Sequence, residues 1–259
     1  MSRYVIMQMA DGLGNQMFQY AAARTIAHTT GGTIILLPAS NPHSKTDYRP
    51  ILFLKGLRSA PPKPTMIYQQ NSSFEAWSPE RFIGTDVITC RGHFQYLPAI
   101  NPVLPFVKEE FLTALAPMRE QLKFKYNISL FRRVSFIHIR RGDYLKQSDV
   151  HWVQDRDYYE RSIQAMESRY PKALHWYVLT DDVKWCREQP WLQGKQILDE
   201  PELAALAFMS LCKGAAVISN SSFSWWGAML SGAPTAYPSK WFKDVTPELF
   251  PSDWVQVLC

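Results

Sequence analysis

Three apolar runs rich in β-branched and aromatic residues, Val134–Ile139, Leu174–Leu179 and Ala215–Ser219, alternate with helical segments in the second half of the chain. That alternation predicts a parallel sheet covered by helices, because parallel strands need a crossover, and the crossover helix buries the sheet face it returns over. The predicted helices are Asp157–Arg169, closed by Pro171, then Val183–Glu188, then Glu200–Cys212, stopped by Lys213-Gly214. Ligands of such sheets bind outside the carboxyl ends of the strands, so the residues just after each apolar run are the first to weigh.

The amino terminus repeats the pattern once. Tyr4–Met9 reads as a strand, Asp11–Gln16 as a glycine-punctuated turn and Met17 to about His28 as an alanine-rich helix. Gly12 and Gly14 are expected to permit positive φ and close backbone approach, with the helix amino terminus offering N–H groups to an anion. The turn lacks the full dinucleotide fingerprint and has no Walker lysine, so a plain tight turn is the competing reading. After about Leu37 the first half looks irregular, with proline clusters at Ala60–Pro64 and Asn101–Pro105. A domain boundary is expected between Lys123 and Phe131, giving domains 1–127 and 128–259.

After the run Val134–Ile139 come Arg140-Arg141-Gly142-Asp143-Tyr144. Guanidinium groups meet phosphate oxygens through paired, charge-assisted hydrogen bonds, so this loop suits a diphosphate. Successive side chains on an extended segment point opposite ways. One arginine is therefore expected to face the ligand and the other to brace the loop on Asp143. An exposed basic turn is the bland alternative. Asp181 and Asp182 follow the next strand; adjacent carboxylates there diverge, which disfavours a divalent cation site. An ordinary helix cap fits one of them. After the third strand, Asn220, Ser221 and Ser222 can cap a helix or bond a phosphate, Phe223 can flank a base or sugar, and Trp225 and Trp226 read as packing residues.

Taken in order, Gly12–Ala21, His138–Tyr144, Val178–Asp182 with Trp185-Cys186, and Ser219–Trp226 resemble the motifs of the α-1,2-fucosyltransferases of glycosyltransferase family 11, across nearly the whole chain. The resemblance implies an α/β, GT-B-type glycosyltransferase: two Rossmann-like domains facing a cleft, residues 1–127 on the acceptor side and 128–259 binding the GDP-sugar. It implies transfer of L-fucose, with inversion, from GDP-β-L-fucose to the 2-hydroxyl of a terminal galactose of a glycan. No cofactor and no metal are expected. By the same resemblance Arg140 grips the diphosphate and Arg141 assists. His138 and Asp181 or Asp182 hold the guanosine end, and Gly14, Asn15, Ser221, Ser222 and Phe223 complete the donor site. Asp11 departs from the pattern, standing where many bacterial members have a further glycine and adding a negative charge. Inversion also needs a base for the acceptor proton. Asp143 is the first candidate, with a salt bridge to an arginine as its alternative role; His151, Asp155 and Asp157 are reserves, Asp157 fitting simply as an acid in a first helical turn.

Composition narrows the rivals. With 46% hydrophobic and 20% charged residues in 259, the chain is globular rather than disordered. A net charge of +5 fits an anionic ligand but is modest for a nucleic-acid binder. A basic RNA-binding protein and a catalytically silent nucleotide or sugar binder remain as alternatives. Cys90, Cys186, Cys212 and Cys259 have no metal-ligand spacing and read as free thiols. No run approaches the ~18 apolar residues of a membrane span and no signal peptide is evident, so a cytoplasmic location is expected. Since animal members of the family it resembles are Golgi membrane proteins, the resemblance then implies an enzyme of bacterial or viral type, or a shortened chain.

Overall fold

The computed structural model describes residues 2–39, 46–53, 55–57, 59–128, 133–147, 149–170, 174–242, 245 and 247–259. Phe131, one end of the expected boundary, and Pro171, the expected helix stop, lie outside them. The chain divides into two compact units, Met1–Ala114 with Pro247–Phe250, and Leu115–Thr246 with Pro251–Cys259. The division falls between Ala114 and Leu115, inside the helix Leu104–Lys125, whereas the sequence pattern puts a boundary just after that helix, at 127/128.

The first unit contains β1 (Tyr4–Gln8), α1 (Leu13–Thr30), β2 (Thr33–Leu37), β3 (Met66–Gln69), β4 (Val87–Arg91), α2 (Leu97–Ile100) and the start of α3 (Leu104–Lys125). Its four strands run parallel in the order β2-β1-β4-β3. Met7 stands beside Cys90 and Gln69 beside Arg91, so the loops after β1, β4 and β3 leave one edge together. Ile6, Ile35 and Val87 form a small core on the sheet. α1 is buried almost all round, and its alanines, Ala21 to Ala23, allow the helix to lie close to its neighbours.

Two expectations for this unit need correction. Among the described residues the chain forms no helix or strand between Leu37 and Met66, as expected, but beyond that it is regular: it supplies β3 and β4, and the prolines of Asn101–Pro105 form a short turn and then the first residues of α3, where a missing N–H costs nothing. The helix after β1 begins at Leu13 rather than Met17, and the left-handed residue of its entry turn is Asp11 at φ 61°, while Gly12 is extended at φ −69°. A single left-handed residue is enough to turn the chain into the helix, and aspartate tolerates that region better than most side chains do.

The second unit contains β5 (Val134–Ile139), α4 (Arg156–Arg169), β6 (His175–Thr180), α5 (Val183–Arg187), β7 (Gln196–Leu198), α6 (Glu202–Leu211), β8 (Ala216–Val217), α7 (Ser222–Ser231), β9 (Thr235–Pro238) and β10 (Val255–Val257). All six strands are parallel, in the order β10-β9-β8-β5-β6-β7. Every residue of the central β5 is buried, which is why it reads as a mainly apolar run with Ser135 and His138 in it rather than as an alternating one. Ile137, Ile139 and Val178 pack with Tyr158, Ile163 and Met166 of α4 on one face. On the other, Tyr177 meets Phe208 of α6 with ring centroids 4.9 Å apart. Each such side chain contributes about 1.5–3 kcal/mol by leaving water. Trp225 and Trp226 are fully buried in α7, as packing residues should be. Among the described residues no helix is long and apolar enough to cross a membrane.

Candidate active site

β5 delivers Arg140 and Arg141 to the sheet edge, and the register that sets Ile139 beside Thr180 puts Asp181 and Asp182 next to them. Arg140 lies between two carboxylates: Nη2 is 2.7 Å from Oδ1 of Asp143 and Nη1 is 3.1 Å from Oδ2 of Asp181. Burial opposes its charge, but Asp181 and Asp143 outweigh burial and hold its pKa above the ordinary arginine value. Its Nε is buried and bonds to no described residue.

Arg141 turns the other way, as strand geometry requires. Its guanidinium lies 3.7 Å from the Trp185 ring centroid and its Nε 3.4 Å from Oδ2 of Asp182. Asp143 therefore braces Arg140, not Arg141, a correction to the expected pairing. Asp181 also accepts from the Arg141 backbone N–H at 2.9 Å, so that carboxylate ties its own loop to the arginine loop. Gly142 makes the approach possible, since a Cβ there would sit 2.5 Å from Oδ2 of Asp181. Asp182 caps α5 through Oδ1, accepting from the Trp185 N–H at 3.1 Å. The two acids thus take different partners.

Behind the arginines lies His138, 4% exposed, with Nδ1 2.9 Å from Oγ of Ser219 and its ring 5.5 Å from that of Phe223. Burial, then the nearby Arg140, pull its pKa down to about 3, so the imidazole is neutral. Tyr144 donates to the Asn220 carbonyl at 3.0 Å and stacks on His151 at 4.0 Å. Burial lowers the pKa of His151, with Asp143 opposing and Arg140 assisting. The Asn220 amide nitrogen donates to the carbonyls of Trp152 and Trp241, which leaves Oδ1 buried and unbonded. Ser221 precedes α7 without making a side-chain cap bond, so capping does not account for it.

The carboxyl edge of β5, β6 and β8 therefore gathers His138, Arg140, Arg141, Asp143, Asp181, Asp182, Ser221, Ser222 and Phe223. Gly14 and Asn15 lie in the first unit, in the first turn of α1, where Asn15 Oδ1 accepts from Nε2 of Gln95 at 2.8 Å. Of the reserve bases, Asp155 caps α4 through the Tyr158 N–H and Asp157 lies in that helix's first turn. Sequence reasoning assigned no task to Tyr144 or Trp185, although both stand inside the motifs, next to the charged residues they pack on.

Comparison with known proteins bears on the same residues. Alpha-1,2-colitosyltransferase from Escherichia coli is 25% identical, the match covering 98% of this chain and 98% of that protein. Galactoside alpha-(1,2)-fucosyltransferase 1 from Bos taurus is also 25% identical, over 94% of this chain and 73% of its own length. The crystal structure of NodZ alpha-1,6-fucosyltransferase soaked with GDP-fucose has a TM-score of 0.56 at 13% identity, covering 95% of this chain and 98% of that one. That likeness fixes the fold as GT-B. The model of glycosyl transferase family 11 matches residues 4–244, a stretch that takes in the β1 turn, the arginine loop, the paired aspartates and the Asn220–Phe223 turn, and the chain belongs to that family.

Proposed function

We propose that the protein transfers L-fucose, with inversion, from GDP-β-L-fucose to the 2-hydroxyl of a terminal galactose or related sugar of a glycan. The observation that carries this reading is Arg140, pinned between Asp143 and Asp181 at the end of β5 with one buried N–H donor unbonded. As the glycosidic C–O bond breaks, positive charge develops on the sugar ring and negative charge on the departing diphosphate. A cation fixed beforehand beside that diphosphate stabilises the transition state without reorganising. Arg141 supports the same charge from beside Trp185. The α7 amino terminus, with Ser221 and Ser222, offers N–H and hydroxyl donors to phosphate oxygens.

His138 and Phe223 border the guanosine end in this reading. Asp182 is the better partner for the guanine N–H pair, because its Oδ2 has only a long contact to Arg141, whereas both oxygens of Asp181 are engaged. Asp143 holds Arg140 in place. The 2-hydroxyl as target is supported by the α-1,2 linkage in the names of both relatives, at 25% identity. Arginine supplies the charge that a metal supplies in other transferases, so none is needed.

The test is incubation of the protein with GDP-fucose and a panel of galactose-terminated glycans, with and without EDTA, followed by linkage analysis. Expected is an α-1,2-fucosylated product formed equally well in both. Failure with GDP-fucose alongside turnover of a colitose or other sugar nucleotide would overturn the donor, and a different linkage would overturn the acceptor position.

A further inference from the structure

Between the arginine loop and the turn that leads into α7 stands one buried phenol, Tyr144. Its hydroxyl donates to the Asn220 carbonyl at 3.0 Å, and the Arg140 guanidinium lies over its ring, 5.4 Å from the centroid. His151 stacks on the same ring, 4.0 Å away and 6° from parallel. Burial pushes the phenol's pKa well above its ordinary value, with Arg140 opposing, so the hydroxyl keeps its proton and remains a donor. Tyr144 thus meets both halves of the candidate diphosphate site, the cation and the turn, and all these residues belong to the second unit.

The turn itself is pinned residue by residue. The Ile218 carbonyl accepts from the Tyr158 hydroxyl at 2.5 Å, and Oγ of Ser219 lies 2.9 Å from Nδ1 of His138. The Asn220 amide nitrogen donates to the carbonyls of Trp152 and Trp241 at 2.8 and 2.9 Å. Tyr158 therefore fastens the turn to α4 and His138 fastens it to β5. Tyr144 adds the tie that also carries the Arg140 guanidinium. Ser221, next in the chain, is buried and makes no side-chain cap bond, so its hydroxyl stays available to a ligand.

We propose that Tyr144 is a positioning residue for the donor diphosphate, holding the Arg140 guanidinium and the Asn220–Ser222 turn at one spacing, an assignment that rests on the transferase reading above. Two groups that grip one diphosphate do most when their separation is already that of the bound ligand, because no ordering remains to be done on binding. A misplacement of about 1 Å costs on the order of a hundredfold in rate. Asp143 and Asp181 set the direction of the guanidinium from their own side. Tyr144 refers it to the turn. Phenylalanine at this position would keep the ring beside Arg140 and the stack on His151, but would take from the Asn220 carbonyl the hydroxyl that bonds it, and the turn would lose that anchor.

The experiment compares the calorimetric affinities for GDP and for guanosine of the unmodified protein, Tyr144→Phe and His151→Ala, with urea unfolding midpoints as the check on folding. Guanosine has the base and ribose without phosphate, so a loss confined to GDP reports on the diphosphate cradle, and a general loosening of the fold does not produce it. Tyr144→Phe should weaken GDP about tenfold or more, leave guanosine within about twofold, and lower kcat for fucosyl transfer on the order of ten- to a hundredfold. His151→Ala removes the ring that backs Tyr144 and keeps the hydroxyl; it should shift the ratio of the two affinities in the same direction by a smaller factor, and it decides the matter if the phenylalanine variant does not fold. An unchanged ratio in the folded variants, or equal weakening of both ligands, overturns the positioning role. A protein that binds GDP no better than guanosine before any substitution counts against the diphosphate and transferase reading itself, whereas a preference for GDP that the variants retain counts against Tyr144 alone.

Discussion

Lysine at position 140 would keep the charge and lose the fork. Arg140 uses Nη1 and Nη2 for Asp181 and Asp143 and still has an unbonded N–H at Nε, a division of labour that a single ammonium cannot reproduce. Arg140→Lys is therefore expected to lower fucosyl transfer on the order of a hundredfold or more, and Arg141→Lys to do less. Near-normal turnover by Arg140→Lys would remove the diphosphate assignment. His138 makes a different kind of prediction. Its folded pKa, held at about 3 by burial and Arg140, lies below the ~6.5 of an unfolded histidine. The unfolded chain then binds the extra proton first. Stability from the neutral ring is fully present above pH ~6.5 and drains away as the pH falls toward the folded value, by up to about 1.4 kcal/mol per unit. Urea unfolding between pH 7 and pH 4 should show a shallower decline for His138→Asn than for the unmodified protein; parallel slopes would mean that other groups carry the acid sensitivity.

At the scale of elements, the loop after β5 and the loop after β6 are fastened through Asp181, and Gly142 is the residue that lets them close. Gly142→Ala would push a methyl into Oδ2 of a carboxylate tied to both Arg140 and the Arg141 N–H, so one of those contacts must break. A loss of about 1–3 kcal/mol in stability and a larger KM for the donor are expected, and an unchanged KM would show the carboxylate to be dispensable for donor binding. This arrangement was legible only in part. β5 announces itself because both its faces are buried and all its residues but Ser135 and His138 are apolar, and the polar residues that follow mark the sheet edge. β3 and β4 are four and five residues long and carry Gln69, Thr89 and Arg91, too short and too polar to stand out from loop sequence. α3 hides behind Pro105 and Pro117, residues that normally end a helix. The hydrogen bonds that join His93 to Asp11 and to Ser73 were invisible for a further reason: the three residues are distant in sequence, and only the parallel register of β1, β4 and β3 brings them to one edge of the first unit's sheet. The positive φ of Asp11 could not be read either, since two glycines beside it were the better local candidates.

For the whole molecule, binding of the donor base is the most discriminating observable. If Asp182 accepts from the paired N–H donors of guanine, a base without that pair leaves a carboxylate oxygen with no partner in a partly buried site, at a cost of roughly 1–3 kcal/mol. GDP should then bind well and ADP or UDP poorly. The fucose is expected to add little to ground-state affinity, because interactions realised only as the bond breaks appear in the rate instead. A ligand that binds only the folded state raises stability by RT ln(1 + [L]/Kd), about 2.7 kcal/mol at a hundred times Kd. GDP and GDP-fucose at equal concentration should therefore raise the unfolding temperature by similar amounts, and ADP should do little. Hydrogen exchange with GDP bound should slow most at the loops after β5 and β6 and at the start of α7, where the candidate contacts lie. Asp182→Asn keeps an oxygen able to cap α5 but replaces the other acceptor with an N–H₂ group that repels guanine's donors, so it should abolish the preference of GDP over ADP while leaving the fold intact. Equal protection by ADP and GDP in the unmodified protein would remove guanine recognition, and with it the main physical reason for choosing a guanosine-diphosphate sugar as the donor.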